Sequence, residues 1–204
     1  MTYTPTTAAD WDSDADPGDV DNALDQLAER VEDLEGAISR VLISEQSPSG
    51  TGMVTFSSIP GTYHSLEMEI VGRSTRSAND DAISIQFNAD TTASHYRRSL
   101  LNAYGITVAK SQSDDSIVGY LAAANAPSGS CGSYVVKISD YAGTTFNKQV
   151  NILGSMRFDS SSLFIVQLFL AVEWENTAAI TPIVILLASG NYVSGTSLRF
   201  YGLN

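Results

Sequence analysis

The sequence is short of cysteine, of basic residues and of long apolar runs, and each shortage excludes a class of protein. Its one cysteine, Cys131, cannot form a disulfide within the chain, which excludes a disulfide framework and a CxxC-type zinc or redox site. No apolar run reaches the roughly 18 residues of a membrane span. Residues 1–10 lack the pattern of a secretory signal. We therefore expect synthesis in a reducing cytoplasm and no membrane insertion.

Basic residues are scarce, and the resulting charge is unevenly distributed. The 204 residues include 23 acidic and 11 basic side chains, a net charge of −12. Residues 1–50 hold 12 of the acidic residues and only Arg30 and Arg40 as basic ones. A chain this acidic repels nucleic acid and anionic membrane. Neither is expected as a partner, and the N-terminal quarter should prefer a basic one.

Residues 1–16 are predicted to form an extended acidic arm. Trp11 lies among aspartates in a segment with no periodicity that could bury one face. One interpretation is a solvated tail. The one we prefer is an anchoring arm that docks on a basic socket, with the tryptophan as a hydrophobic anchor. The predicted anchoring residues are Asp10, Trp11, Asp12, Asp14 and Asp16.

Residues 17–46 are predicted to form a coiled-coil stalk. Asp16 suits the helix N-cap, and Pro17 suits the first helical position. Apolar residues then recur at alternating spacings of four and three, which is a heptad seam. A single helix cannot bury such a seam, so the stalk should associate with copies of itself. The seam residues are Val20, Leu24, Leu27, Val31, Leu34, Ile38 and Val41.

The number of strands in the coiled coil is indicated by two charged residues beside the seam. Arg30 and Glu35 flank Val31 and Leu34, and this arrangement resembles the short trimerisation motif of three-stranded coiled coils. An arginine and a carboxylate can then pair between chains across the edge of the core. We expect a homotrimer, with a dimer as the alternative. Residues 47–52 are rich in turn formers and are predicted to be a linker.

Residues 53–204 are predicted to form a β-sandwich or jelly-roll knob. Apolar residues alternate with polar ones over short segments bounded by turn signals, and no convincing amphipathic helix is present. About nine strands in this length indicate two packed sheets. The whole chain is therefore expected to be mainly β, after an N-terminal trimeric coiled-coil helix. The predicted strands are 53–57, 66–70, 83–87, 117–123, 134–138, 149–157, 163–174, 181–187 and 196–201.

The segment Leu163–Val172 differs from the other predicted strands because it is almost wholly apolar. Such a pattern indicates a strand that is buried on both faces. In a trimer, one face would meet the subunit's own core and the other a neighbouring subunit. The alternative is a central strand enclosed within a single sandwich.

Several landmarks of the knob, together with the N-terminal pattern, resemble the appendages of tailed-bacteriophage virions. They begin with the run Phe56–Tyr63, whose Pro60-Gly61 pair predicts a type II turn. The N-terminal pattern of Trp11, Pro17, Val20 and residues 23–28 also resembles phage fibre stems. The likeness implies a trimeric protein of the virion surface and is shared by tail fibres, head fibres and capsid decoration proteins. The other landmarks are Leu66, Gly72–Ser74, Phe87, Asn88, Asp90, Asp140, Tyr141, Lys148, Asn176–Thr181, Gly195, Thr196 and Leu198–Leu203.

Residues with catalytic or metal-binding potential are few, and their spacing fits no motif. The two histidines, His64 and His95, are 31 residues apart, which offers no helical or hairpin metal pair. No nucleophile-elbow pattern is present. We expect no enzyme activity, no metal and no cofactor. One cluster of aromatic and basic residues has the composition of a contact patch for carbohydrate or protein, although an ordinary surface loop is the alternative. These residues are His95, Tyr96, Arg97, Arg98 and Tyr104.

The sequence thus predicts a structural protein of the virion surface, made in the host cytoplasm. The preferred form is a homotrimeric head fibre or capsid decoration protein, attached to other virion proteins by its N-terminus. The alternative is a tail fibre whose knob loops bind a host-surface glycan. The short stalk, about 37 Å for about 25 helical residues, favours the first.

Overall fold

The computed structural model describes residues 24–31, 40–104, 107–157, 159 and 165–204, and these are mainly β. The chain divides into two compact units, Met1–Ser39 and Arg40–Asn204. The described part of the first unit is a helix over residues 24–31, here called α1. The second unit contains twelve strands and one short 3-10 turn, Ala93–His95, among its described residues. No described helix is long and apolar enough to cross a membrane.

The twelve strands form two antiparallel sheets. The large sheet has eight strands in the order β1-β12-β3-β8-β9-β10-β5-β6, and the small sheet has four in the order β2-β11-β4-β7. Each of the nine predicted strands is confirmed within a few residues at either end. The strands are β1 (Arg40–Gln46), β2 (Met53–Phe56), β3 (Ser65–Gly72), β4 (Asp80–Phe87), β5 (Tyr96–Tyr104), β6 (Thr107–Ser113), β7 (Ile117–Ala122), β8 (Gly132–Ser139), β9 (Lys148–Arg157), β10 (Ile165–Trp174), β11 (Ile183–Leu187) and β12 (Ser197–Leu203).

The core lies between the facing sides of the two sheets, as in a β-sandwich. Because side chains alternate between the two faces of a strand, every second residue of β3, β4, β8 and β10 is buried. An aromatic cluster anchors one end of this core. Trp174 stacks on Tyr96 with ring centroids 6.5 Å apart, and Phe87 lies 5.5 Å from Trp174. The indole is only 1% exposed.

The predicted end of the stalk is wrong. Residues Arg40–Gln46, placed in the coiled coil over 17–46, form strand β1 and pair with β12 at an edge of the large sheet. Val41, a predicted seam residue, lies opposite Gly202. The β-branched Val41 and Ile43 suit a strand, and Ile43 packs against the core. The heptad spacing continues into these residues, and it carries no information about their pairing with β12, which is distant in sequence.

The predicted domain boundary moves as a consequence. Residues 47–52, interpreted as a linker between stalk and knob, connect β1 to β2 inside the second unit. The knob, predicted over 53–204, therefore begins at Arg40. Backbone bonds fix this connection, since the Gly50 amide donates to the Tyr192 carbonyl at 3.0 Å and Tyr192 donates to Thr51 at 2.7 Å.

Two further strands, β5 and β6, were not predicted. Arg98 points inward because Asp115 accepts from its guanidinium at 2.5 and 2.9 Å, whereas Leu101 points outward and is 51% exposed. Both residues therefore reverse the polarity that an alternating pattern requires. All seven residues of β6 are exposed, so its sequence carries no alternation at all.

The landmark residues hold loops together by hydrogen bonds. The Arg73 guanidinium donates to the Pro127 and Ser130 carbonyls at 2.8 and 2.9 Å, which organises the β7–β8 loop. Buried Lys148 donates to the Phe146 carbonyl at 3.2 Å. The predicted type II turn is wrong, because the left-handed residue between β2 and β3 is Ser58, at φ 57°, and Gly61 is not left-handed.

Candidate interaction surface

A row of apolar side chains crosses the outer face of the large sheet. Phe169 of β10 lies opposite Leu101 of β5 and Leu153 of β9, and Leu153 lies opposite Val135 of β8. Directly opposed residues on antiparallel strands share a face, so the four form one continuous line, here called the outer row. Their exposed fractions are 51% for Leu101, 59% for Phe169, 57% for Leu153 and 40% for Val135.

The outer row ends in charged residues on both sides. Beyond Leu101 the next residue in register is Lys110 of β6. Beyond Val135 it is Glu69 of β3, which accepts from Arg40 at 2.6 Å. Glu69 in turn lies opposite Arg199 of β12. An apolar centre with a charged rim is the composition of a protein interface.

A shallow groove lies over the outer row. Its volume is about 500 Å³, and the outer row forms much of its lining. Val108 of β6, 67% exposed, adds to its apolar wall. Polar residues on the lining, such as Gln167 and Ser155, are uncharged. A contiguous exposed apolar surface of this kind on a folded domain usually marks a site of association.

β10 shows how the sequence produces this surface. The strand alternates regularly, and its inward residues, such as Leu168 and Leu170, are buried in the core. Its outward residues include Ile165 and Phe169, both about 60% exposed. The alternative of a strand enclosed on both faces within one sandwich is therefore wrong. The sequence indicated such an outward apolar face for Leu163–Val172 alone. The rest of the row was missed, although its signal was present as apolar residues at the solvent-facing positions of alternating strands.

The predicted receptor-contact residues do not form a single patch. His95 lies in the 3-10 turn, and Tyr96–Tyr104 form strand β5 instead of a loop. Tyr96 is buried in the core, where its hydroxyl donates to the Asp90 carbonyl at 3.0 Å. Tyr104 lies at the opposite end of the strand. These residues are close in sequence, but the alternation of β5 directs them to opposite faces of the sheet, and the length of the strand places Tyr104 far from His95.

The two arginines of that group are engaged in ion pairs. Arg97 contacts Asp114 at 2.6 Å and Glu175 at 2.9 Å, and these partners raise its pKa further. Arg98 is buried and paired with Asp115. The hydrogen bond that Arg98 donates to Asp115 raises the pKa of Arg98 despite its burial. Both side chains therefore stabilise the start of β5.

His95 faces a structural carboxylate. Its Nδ1 lies 2.8 Å from Asp90 Oδ2, the same oxygen that accepts from the Trp174 indole at 2.8 Å. The Thr92 amide donates to Oδ1 at 3.0 Å. Burial raises the pKa of Asp90, but these hydrogen bonds outweigh burial and hold the pKa well below its usual range. Asp90 therefore remains a charged acceptor that fixes the core tryptophan.

The structure describes three residues of the predicted stalk seam on a helix. Leu24, Leu27 and Val31 lie on helix α1 and are between 45% and 58% exposed. Arg30 lies on the same helix. Val41 lies in β1, as described above. The remaining predicted residues lie outside the described part of the chain, and they are Asp10, Trp11, Asp12, Asp14, Asp16, Val20, Leu34, Glu35 and Ile38.

No protein-family model and no curated protein matches the chain. Among solved structures, the galectin LEC-6 of Caenorhabditis elegans is similar over 78% of this chain and 95% of its own. The identity is 11% and the TM-score is 0.32.

Proposed function

We propose that the chain is a non-enzymatic, homotrimeric surface protein of a tailed-bacteriophage virion, either a head fibre or a capsid decoration protein. Residues 1–16 attach it to a basic site on another virion protein, the helix provides a stalk, and the β-sandwich projects as a knob. The observation that carries this proposal is the outer row, because an exposed apolar line with a charged rim suits coverage by another copy of the chain.

The strand order supports a jelly-roll knob. With the inserted strands β5, β6, β9 and β10 set aside, the sheets read β1-β12-β3-β8 and β2-β11-β4-β7. Consecutive strands then alternate between the two sheets, except that β4 and β7 are neighbours in the small sheet, and this order is that of the double Greek key of a jelly roll. Jelly rolls are common in viral capsid proteins, which agrees with the phage resemblance of the landmark residues. The inserted strands carry three of the four outer-row residues, so the association surface is largely an addition to this framework.

Energetic considerations favour a second copy as the occupant of the outer row. Burying a large apolar side chain contributes about 1.5–3 kcal/mol when it starts fully exposed. Four side chains that are each about half exposed therefore contribute roughly 3–6 kcal/mol per subunit. A face directed at a threefold axis would bring three such rows together. The exposed seam of α1 supplies a second apolar surface of the same kind.

The association can be tested by the mass of the full-length chain in solution. Sedimentation equilibrium should give three times the chain mass of 21.8 kDa. Phe169→Asp should weaken association, because three unpaired carboxylates would be buried together. Phe146→Asp, the same substitution at an exposed phenylalanine between β8 and β9 that does not line the groove, is the matched control and should have a much smaller effect. A monomer at every concentration, or equal effects of the two variants, would reject the outer row as the interface.

Attachment to the virion needs a separate test. Deletion of residues 1–15 should leave a folded trimer that is no longer incorporated into particles. Trp11→Ala should weaken incorporation more than any single Asp→Asn change, because one exposed charge among many is screened. Truncated protein found on purified virions at the wild-type level would argue against the anchoring role.

The alternative is a tail fibre whose knob binds a host-surface glycan. A second groove, between the two sheets, favours this alternative. Binding of glycans by the full-length protein distinguishes the two functions, since a decoration protein does not require it.

A further inference from the structure

The large sheet extends beyond the small one, and the overhang leaves a groove between them. Strand β7 is an edge of the small sheet, whereas β5 and β6 continue the large sheet past it. The inward side of β6 should face a covering sheet, yet Ala109 and Ser111, which lie opposite Asn102 and Leu100, are exposed. The end of β5 is also only partly covered. The small sheet therefore does not reach the hairpin that β5 and β6 form.

The groove has an apolar floor and a polar rim. Its volume is about 240 Å³. The floor consists of Leu100, Met156, Val166 and Leu168, all buried side chains of the large sheet. The rim consists of Asp80 at the start of β4, Asn102 and Tyr104 at the end of β5, and Tyr120 on β7.

The hairpin presents opposite chemistry on its two sides. On the outer side, Leu101, Ala103 and Val108 continue the apolar surface of the outer row. On the inner side, the polar residues Asn102, Tyr104, Thr107 and Ser111 outnumber the apolar Leu100 and Ala109. A hairpin that only stabilised the sandwich would be apolar on its inner side. The tyrosine, serine and asparagine content of this side is instead that of a surface that binds ligands with adaptable hydrogen bonds.

The rim provides both hydrogen-bond donors and acceptors. The Asp80 carboxylate, 42% exposed, accepts, and its nearest basic group is Arg76 Nη1 at 3.9 Å. The Asn102 amide and the two tyrosine hydroxyls each both donate and accept. Burial raises the pKa of Tyr120 despite the nearby Arg98, so its hydroxyl remains a donor at neutral pH.

We propose that this groove binds one neutral sugar ring of a glycan, with the apolar face of the ring against the tyrosines and the floor and its hydroxyls on the rim. The residues that line the groove include a carboxylate and no basic side chain, which disfavours an anionic ligand. A purely apolar ligand would make no hydrogen bond with the polar rim, whereas sugar hydroxyls can both donate to it and accept from it. The volume suits one ring, being below the range typical for drug-sized ligands.

The inference gives the receptor-binding alternative of the proposed function a site, and it differs from the predicted patch. Of the five residues in that patch, only Tyr104 lines this groove. His95 lies at the other end of β5, beside the first residue of the strand. The groove is formed within one subunit, so its binding can be measured whether or not the chain is a trimer.

The test is saturation-transfer NMR on the full-length protein with methyl glycosides of glucose, galactose, mannose and N-acetylglucosamine. At least one glycoside should receive saturation on its ring protons. Tyr104→Ala should weaken that binding about tenfold, which corresponds to the loss of one aromatic contact. Asn102→Ala should weaken it by a smaller factor. Gln112→Ala, on the outer side of the same hairpin, is the matched control and should leave binding unchanged.

Two results would overturn the proposal. The first is an absence of transfer to all four glycosides at millimolar concentration. The second is equal transfer to the wild type and to both groove variants, which would place the sugar elsewhere. Tyr120→Phe keeps the ring and removes only the hydroxyl, so it provides a milder variant if Tyr104→Ala unfolds. Thermal unfolding of each variant separates a lost fold from a lost site.

Discussion

The two faces of the large sheet use the same kinds of side chain with opposite consequences. On β10, Leu170 and Val172 face the small sheet and are buried, whereas Ile165 and Phe169 face outward and are mostly exposed. The inner residues stabilise one subunit by themselves. The outer residues contribute only when another surface covers them. The alternation along the strand therefore defines the fold, and the chemistry of its exposed half points to association.

The largest expected difference between the faces is in the stability of a single subunit. Trp174→Ala, on the inner face, should lower the free energy of unfolding by about 3–5 kcal/mol because it leaves a cavity beside Phe87 and Tyr96. Phe169→Ala, on the outer face of the same strand, should change it by less than about 0.5 kcal/mol at concentrations where subunits are separate. Denaturant unfolding measures both, and equal losses would erase the distinction between the faces.

The stalk provides a second way to test where association resides. Leu27→Asp combined with Leu34→Asp would place carboxylates in two layers of the proposed coiled coil, where unpaired buried charge costs several kcal/mol. The trimer should weaken and the helical signal in circular dichroism should fall. Sedimentation at several concentrations measures the first effect. An intact trimer with unchanged helicity would show that the stalk does not contribute to association, and the outer row would remain as the proposed interface.

A smaller difference is expected at two adjacent residues of β9. A Cβ at Gly154 would lie 2.1 Å from the Tyr134 ring on the inner side, so Gly154→Ala must displace a core tyrosine. Overpacking of this kind costs about 1–3 kcal/mol. Ser155→Ala, pointing to the outer side, should be close to neutral. Unfolding curves for the pair that coincide would show that Tyr134 can move at no cost.

Much of the sandwich could be predicted because most strands carry a regular alternation. β3, β4 and β8 each bury every second residue, and their periodicity is visible in the sequence. β6 could not be predicted, since all its residues are exposed and no alternation of apolar and polar residues marks it as a strand. β1 could not be separated from the stalk because Val41 satisfies both a heptad position and a strand.

The candidate surfaces were harder to predict than the strands. The outer row joins residues from four strands that are far apart in sequence, and only their register places them in line. The unusual composition of Leu163–Val172 did indicate one of its residues, Phe169. The groove between the sheets depends on the unequal number of strands in the two sheets, which no local pattern encodes. Of its rim, the sequence pointed to Tyr104 alone.

Hydroxyl-radical labelling of two phenylalanines tests most directly whether the outer row is buried between subunits. Phe169 is 59% exposed in the single subunit, and Phe146, between β8 and β9, is 70% exposed and provides an internal control. In the assembled full-length protein, Phe169 should be protected while Phe146 is labelled rapidly. Dilution below the association threshold should restore labelling of Phe169. Labelling of both residues at similar rates in the assembled state would contradict the account.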